Sequence, residues 1–327
     1  MKVNSAVCLL ALVFMALPSG PATVQETAKS FPNRPVRIIV GNAAGGGIDI
    51  LARLVGQKLS DRLGQPVIIE NKAGASGVIA AQYVAKAPPD GHTLLMAPIG
   101  TMTVNPAVIP NLPYDPQRDF LPVSIVASFP LVLAVNSAAP VRTVADLIAY
   151  AKANPDKANA GASGVIFQVV QKLFEMRTGS SFQYISHRSN TETMVSLMRG
   201  DLLMSLSDIG PVAGLLKDGR VRALAVTSSE RLPAWPDVPT MAEAGIKDME
   251  IGFWSGLVAP AGTPQPIVKR LQDEVMAVMR LEDTRARLAA YEISPEGSTS
   301  EEFAQRVARE IVLWADVAKA GHIQMQQ

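Results

Sequence analysis

The sequence predicts an α/β protein with two lobes that are joined by two crossover segments. Strand-like and helix-like stretches alternate from residue 35 to residue 98, and a long apolar stretch then covers residues 123–136. The alternation resumes after it, until a second apolar stretch at 249–260 leads into a helical C-terminal region. Alternation of this kind is typical of a largely parallel sheet with helices on its faces.

The first lobe begins with a β-branched strand, PVRIIVG (35–41), which runs into a glycine-rich turn. Residues 47–64 carry apolar side chains at helical spacing, and Gly64 ends that helix. PVIIE (66–70) and TLLMAP (93–98) are the next two strands, with a helix between them. Three parallel strands with intervening helices are therefore expected before the first crossover.

The first crossover is the stretch VSIVASFPLVLAVN (123–136), which is unusually long for one strand and is interrupted by Pro130. A helix follows at 143–155 and ends at Pro155; QYISH, LLMSLS and VRALAVTS are then predicted strands with helices between them. The second crossover is MEIGFWSGLVAP (249–260). We predict that residues 31–127 and 253–327 form lobe 1, and that residues 128–252 form lobe 2.

The N-terminus predicts export. Lys2 precedes an apolar core, Ala6 to Leu17, which is too short to span a bilayer and is followed by Pro-Ser-Gly. We expect a signal peptide over residues 1–22, with cleavage near Ala22 and a periplasmic mature protein. Cleavage removes Cys8, the sole cysteine, so the mature chain needs no disulfide. A buried N-terminal helix is the alternative interpretation.

The composition argues against nucleic-acid binding. The chain has 30 Lys and Arg residues against 29 Asp and Glu residues, and aromatic residues make up only 5% of its 327 residues. No basic surplus attracts phosphates, and few rings are available to stack on bases. We expect a monomer that contacts no nucleic acid.

The heptapeptide AGASGVI occurs twice, at 73–79 and at 160–166, each time before an amphipathic stretch. The surrounding residues differ, so we interpret the copies as two helix N-termini in which Gly and Ala permit close backbone approach and Ser caps. A common ancestor of the two lobes is the open alternative. Exposed N–H groups at a helix N-terminus bind anions without a charged side chain.

Three loops are candidates for such an anion site. They are GNAAGGGID (41–49), in which Asp49 caps or orients the turn, the loop at 97–102, and the second AGASGVI. Ligands of open α/β sheets bind outside the carboxyl ends of strands, where we expect these loops to lie. The first loop has neither a phosphate-binding lysine nor dinucleotide-binding glycine spacing, and a tight turn is its alternative role.

Catalytic motifs are poor. The histidines are His92, His187 and His322, and none has metal-ligand spacing. Neither heptapeptide fits G-x-S-x-G, and the mature chain has no cysteine nucleophile. His187-Arg188 at a strand end is the one pair with catalytic potential, although a structural pair is the alternative. We predict no cofactor, no metal and no enzyme activity.

Several motifs in order resemble the Bug family of solute-binding receptors of tripartite tricarboxylate transporters. They are AGGGID with ILARLVGQKL, GQPVIIENKAGASG, PPDGHTLLMAP, LPYDPQRDFLPVS, LPAWPDVPTMAEAG and WSGLVAPAGTP. The resemblance implies a type II periplasmic-binding-protein fold with a cleft between two α/β lobes. It also implies a small organic carboxylate held by loop amides and bridging waters, and membrane permease subunits as partners.

Carried over by motif, the resemblance places copy two of AGASGVI at the ligand, whereas copy one supports its own lobe. The chain departs from the family at Asn42, where an aromatic residue is usual, and at Val165, Ile166 and Phe167 in a loop that is usually polar. His187, Arg188 and Ser189 replace Tyr-Lys-Gly, and Glu192-Thr193 replace Pro-Ala. The apolar replacements favour a monocarboxylate with an aromatic or aliphatic body, unless Phe167 faces the lobe core or His187 and Arg188 meet a second acidic group.

The sequence thus predicts a periplasmic binding protein that closes on a small carboxylate. A periplasmic enzyme using His187 and Arg188, or a ligand sensor on the same fold, is the alternative. The predicted ligand-binding residues are Asn42, Ala43, Ala44, Gly45, Gly46, Asp49, Pro98, Ile99, Gly100, Ser163, Gly164, Val165, Ile166, Phe167, His187, Arg188 and Asp208.

Overall fold

The computed structural model describes residues 30–325, so the predicted signal peptide lies outside the described residues. Within that range ten strands form one sheet, and helices cover its faces. The strands are β1 (Val36–Val40), β2 (Val67–Asn71), β3 (Thr93–Pro98), β4 (Phe120–Asn136), β5 (Asn159–Ala162), β6 (Gln183–Ser186), β7 (Met204–Asp208), β8 (Val221–Val226), β9 (Gly252–Pro260) and β10 (Ser294–Pro295). The helices are α1 (Gly47–Leu63), α2 (Val78–Ala85), α3 (Asn105–Val108), α4 (Val144–Ala153), α5 (Val165–Thr178), α6 (Asn190–Arg199), α7 (Ile209–Lys217), α8 (Gln265–Arg280), α9 (Glu282–Ala289) and α10 (Ser300–Gly321).

The sheet has two α/β halves that share β4. In the first half the order is β2-β1-β3-β9-β4, and β1 pairs in parallel with both β2 and β3. In the second half β4 pairs with β7 and β8, and β5 lies between β7 and the edge strand β6. The predicted two-lobed α/β architecture is confirmed.

Strand β4 carries the chain from the first half to the second. It pairs with β9 as far as Pro130, opposite Gly252, and with β7 from Leu131, opposite Asp208. A proline has no N–H and cannot donate to a sheet ladder. It is tolerated at this position because β4 changes its partner strand there, so the ladder is interrupted. The chain returns beside this point, where the Ile251 N–H donates to the Thr227 carbonyl at 3.0 Å before β9 begins. The lobe boundaries given above stay a prediction.

The C-terminal helix α10 packs against β4 and β9, the two strands at which the chain passes between the halves, hereafter called the shared strands. A capping box at Thr299 and Glu302 starts the helix, and Phe303 and Trp314 are fully buried on its inner face. The Phe303 ring meets the Trp254 ring of β9 edge-to-face, with 5.1 Å between the centroids. A Cβ at Gly256 would come within 2.5 Å of Phe303, so only glycine admits this helix at the sheet.

The two AGASGVI copies have different local structures. In copy one, Ala75 and Ser76 have left-handed backbone angles in a short helical turn, and α2 starts after Gly77. In copy two, Ala160 to Ala162 end strand β5, and α5 starts after Gly164. Both helices do begin after the heptapeptide glycine, but neither has a side-chain cap. The interpretation of Ser as a helix cap was wrong, because the glycine occupies the N-cap position.

Candidate functional site: a cavity between the two halves

A cavity of about 600 Å³ lies where the two halves meet, and four loops and both shared strands line it. The loops follow β1 and β3 in the first half and β5 and β7 in the second, and the heptapeptide before α2 adds a further wall. Because β1, β3, β5 and β7 lie inside the sheet, the loops at their carboxyl ends converge near β4.

The loop after β1 presents the N-terminus of α1 to the cavity. Asn42, Ala43, Gly47 and Ile48 line it, whereas the predicted Ala44, Gly45, Gly46 and Asp49 do not. Helix α1 begins without a side-chain cap, and its first N–H groups have no partners within the helix.

Asp49 does not line the cavity but fixes the shape of this loop through hydrogen bonds. The side chain is 2% exposed; its Oδ2 accepts from the Gly45 N–H at 2.8 Å and from Arg53 Nε at 2.9 Å. Asn71 Nδ2 donates to the other oxygen at 2.9 Å. The Arg53 hydrogen bond, together with those from Gly45 and Asn71, lowers the pKa of Asp49 to about 2. The structure thus brings Asp49 to the loop-orienting position that was expected.

The first heptapeptide also lines the cavity, through Ala73, Gly74, Ser76 and Gly77. It was expected only to support its own lobe. Gly77 has a φ of +85°, and a Cβ there would lie 2.6 Å from Thr101 Oγ1. A Cβ at Gly41 would lie 2.9 Å from the Gly77 Cα. These close approaches hold the heptapeptide between the loops after β1 and β3, a relation that local sequence does not reveal.

The loop after β3 contributes Pro98, Ile99 and Gly100 as predicted, and Thr101 in addition. These residues start a π-helical turn, Gly100–Val104, which continues into α3. A further helix N-terminus is therefore directed at the cavity. Val104 and Asn105 complete this wall, and Asn105 Nδ2 donates to the Ser76 carbonyl at 3.0 Å.

The second half contributes the start of α5 and the end of β7. Gly164, Val165, Ile166, Phe167 and Asp208 line the cavity as predicted. Phe167 does so while only 6% exposed, because its ring also packs on Phe253 with 5.1 Å between centroids. Phe167 therefore both lines the cavity and packs in the core, so the two alternatives for this side chain do not exclude each other.

Ser163 lies outside the lining but supports it. Its Oγ donates to Asn190 Oδ1 at 2.8 Å, and Asn190 Nδ2 donates to Asp208 Oδ2 at 3.0 Å. This chain of two hydrogen bonds orients the Asp208 carboxyl group toward the cavity.

His187 and Arg188 do not line the cavity. The His187 ring nitrogens contact the Ile185 carbonyl at 3.2 Å and Ser196 Oγ at 3.0 Å, while Arg188 is exposed. Both follow β6, the edge strand of the second half, and so lie away from the junction at β4. The enzyme alternative depended on these two side chains acting in the cleft, and the structure does not place them there.

The apolar side of the cavity comes largely from the shared strands, which the sequence analysis did not select. Phe129 of β4 and Phe253 and Trp254 of β9 line it, as does Ile48 of α1. Trp254 is 1% exposed, and its Nε1 donates to Glu310 Oε2 of α10 at 2.8 Å. Buried tryptophans need such a partner for the indole N–H, and this one holds the ring at the cavity wall.

Positive potential in the cavity comes from backbone rather than from side chains. No Lys, Arg or His belongs to the described lining, and Asp208 is its one titratable side chain. Helix N-termini of α1 and α5, with the turn at Gly100, supply unpaired N–H groups and favourable dipole ends. Such a surface binds a carboxylate or similar anion. Among residues 30–325 no group of three or more potential metal ligands occurs.

The raised pKa of Asp208 predicts that this side chain lowers the free energy of unfolding in a pH-dependent way. Burial raises the pKa of Asp208 to about 6, above its value of about 3.9 in an unfolded chain. The native state therefore binds this proton more tightly, and the free energy of unfolding falls as pH rises from about 4 to about 6. We expect Asp208→Asn to raise the free energy of unfolding by about 1–3 kcal/mol at pH 7.5 and to change it little at pH 4. Urea unfolding at the two pH values tests this; equal effects would contradict it.

The sequence comparisons identify relatives over nearly the whole chain. The family model described as tripartite tricarboxylate transporter family receptor matches residues 51–322. Protein BugT of Bordetella pertussis is 32% identical over 314 residues, which covers 95% of this chain and 96% of that protein. A protein encoded in the 5' region of gbd in Cupriavidus necator is 34% identical over 312 residues, covering 95% and 93%.

Solved structures agree in fold. Rpa4515 of R. palustris with adipate is 34% identical, with a TM-score of 0.76, over 90% of this chain and 99% of that one. MatC of Rhodopseudomonas palustris with bound malate is 34% identical, with a TM-score of 0.72, over 88% and 99%. A TctC solute-binding protein from Polaromonas has a TM-score of 0.79 at 27% identity, over 89% and 99%. These matches confirm the predicted periplasmic-binding-protein fold and the resemblance to Bug receptors. This chain belongs to the tripartite tricarboxylate transporter receptor family.

Proposed function

We propose that this protein captures a small organic carboxylate in the cavity between its two halves and delivers it to the membrane subunits of a tripartite transporter. The cavity lining carries this proposal, because several helix N-termini converge there and the lining formed by residues 30–325 has no cationic side chain. Relatives described with adipate and with malate support the carboxylate class. We propose that the predicted residues in the lining contact the ligand and that Ala44, Gly45, Gly46, Asp49 and Ser163 support the lining. His187 and Arg188 have no role in this proposal.

A ligand panel tests the proposal. Thermal unfolding and titration calorimetry with adipate, malate, citrate and hexanoate should identify at least one binder, with the matching uncharged amides as controls. A ligand at about 100-fold above its dissociation constant adds about 2.7 kcal/mol to the free energy of unfolding. The bound compound should be recovered unchanged. Turnover of a panel compound would favour the enzyme alternative, and binding of the amides as tightly as the acids would remove the anion site.

We expect ligand binding to close the two halves around the shared strands. Within residues 30–325 the backbone passes between them only at β4 and at Ile251–Gly252, so a few residues can absorb the rotation. Small-angle scattering with saturating ligand should show a smaller radius of gyration than the free protein. An unchanged radius with a ligand that calorimetry shows to be bound would contradict hinge closure.

We propose a periplasmic location, with residues 1–22 removed on export. A similar solved structure is described as the periplasmic binding protein BugD, which supports this location. Intact mass analysis of the periplasmic fraction should give a chain that starts near Thr23. A periplasmic chain that keeps Met1 and Cys8 would contradict cleavage. The monomeric state stays a prediction.

A further inference from the structure

Asp208 stands apart from the rest of the cavity lining because it adds a negative side chain to a site built for an anion. It occupies the last position of β7, beside the crossover, where it pairs with Leu131 of β4. Asn190 donates to its Oδ2 at 3.0 Å, and Ser163 fixes Asn190 in turn. Within residues 30–325 Oδ1 has no hydrogen-bond partner, although Asp208 lies at the N-cap of α7. One oxygen is thus held and the other is available to the cavity.

The surroundings of Asp208 leave its charge uncompensated. Its carboxyl group accepts a hydrogen bond from the neutral Asn190 side chain, its backbone pairs with β4 at Leu131, and the described cavity lining offers no cation. Burial accordingly raises the pKa of this carboxyl group to about 6. It is nevertheless ionised in most molecules at pH 7.5. Asp208 is half-buried, so a ligand in the cavity removes further solvent from its carboxylate, and a ligand that brings a donor offsets that cost.

Resting on the proposed function, we infer that Asp208 selects carboxylates that also carry a hydrogen-bond donor, an ammonium or a hydroxyl group, and that it disfavours a second carboxylate. The acid group of the ligand takes the helix N-termini, the donor meets Asp208 Oδ1, and the carbon body lies along Phe129, Phe253 and Trp254. An ammonium group gains most, since a charge-assisted hydrogen bond is about twice as strong as a neutral one. A second carboxylate at this position faces like charge instead.

Two matched ligand series test the inference by titration calorimetry at pH 7.5. The first has a six-carbon skeleton: 6-aminohexanoate, 6-hydroxyhexanoate, hexanoate and adipate. The second places the donor beside the acid group: leucine, 2-hydroxy-4-methylpentanoate and 4-methylpentanoate. In at least one series we expect the donor-bearing member to bind at least 10-fold more tightly than its donor-free counterpart, and adipate to bind less tightly than 6-aminohexanoate.

The variant Asp208→Asn should reduce the ratio of the affinity for the ammonium compound to the affinity for the donor-free acid at least 10-fold. Asp218→Asn, an exposed carboxylate at the other end of α7, is the matched control and should leave every ratio unchanged. If donor-free acids or adipate bind best, or if Asp208→Asn leaves the ratios untouched, the inference fails while the proposed function stands. If neither these compounds nor the panel above bind, the proposed function fails as well.

Discussion

The variant Gly47→Val should bind the panel carboxylate at least about 100-fold more weakly than wild type while keeping its fold. Gly47 is the first residue of α1 and lines the cavity, and a Cβ there meets no atom within 4 Å. The new side chain therefore enters open space beside the N–H groups that we assign to the ligand. Loss of two charge-assisted hydrogen bonds, at about 1.5–3 kcal/mol each, accounts for the expected decrease.

Titration calorimetry measures this change, and circular dichroism establishes that the variant is folded. Gly214→Val is the control, since Gly214 is an exposed glycine of helix α7 that lies outside the cavity lining, and a Cβ there would likewise meet no atom within 4 Å. We expect wild-type affinity for the control. Gly46 is a poorer target than the sequence suggested, because it does not line the cavity and a Cβ there lies 3.3 Å from the Ala43 carbonyl oxygen. Wild-type affinity in Gly47→Val would remove the start of α1 from the site.

Alanine substitutions at the matched heptapeptide glycines should differ in cost although the local sequence is the same. Gly77 and Gly164 both have a positive φ, but Gly77 is in the αL region (φ +85°, ψ 0°) whereas Gly164 has a φ of +90° and a ψ of 153°. The αL backbone costs an alanine about 1–2 kcal/mol, and the backbone region of Gly164, which is essentially restricted to glycine, costs about 1–3 kcal/mol. Only at Gly77 does the Cβ also meet an atom at 2.6 Å, Oγ1 of the buried Thr101, which adds about 1–3 kcal/mol of overpacking.

We therefore expect Gly77→Ala to lower the free energy of unfolding by about 2–5 kcal/mol and Gly164→Ala by about 1–3 kcal/mol. Urea unfolding measures both. Gly164→Ala should also weaken carboxylate binding, because Gly164 lines the cavity next to the first N–H groups of α5. A destabilisation by Gly77→Ala of no more than the αL cost, about 1–2 kcal/mol, would show that the contact with Thr101 has no energetic role.

Local periodicity predicted the elements around the cavity well. Strand β3 has the predicted bounds. Strand β1 is one residue shorter than predicted at each end, and α1 ends one residue earlier than predicted. These predictions were close because the apolar periodicity and the glycine that ends α1 are local sequence signals. The rule that ligands meet the carboxyl ends of strands selected the loops after β1, β3 and β5, and residues of all three loops line the cavity.

The errors arose where long-range packing decides. The pairing of β4 with β9 brings three aromatic side chains to the cavity, Phe129, Phe253 and Trp254. No local sequence pattern indicates that pairing. The first heptapeptide reaches it through contacts with Gly41 and Thr101. His187 was selected for its place at a strand end, but whether a strand end faces the junction depends on strand order, and β6 is at the edge.

The amide spectrum of the bound protein tests the central claim most directly. The ¹⁵N–¹H resonances are compared without and with a saturating amount of the panel carboxylate that binds most tightly. The account predicts that the largest shifts belong to the N–H groups of Gly47, Ile48, Gly100, Val165 and Ile166, at the helix starts that line the cavity. Unchanged resonances at all of these amides, with the largest shifts around His187 and Arg188, would contradict it.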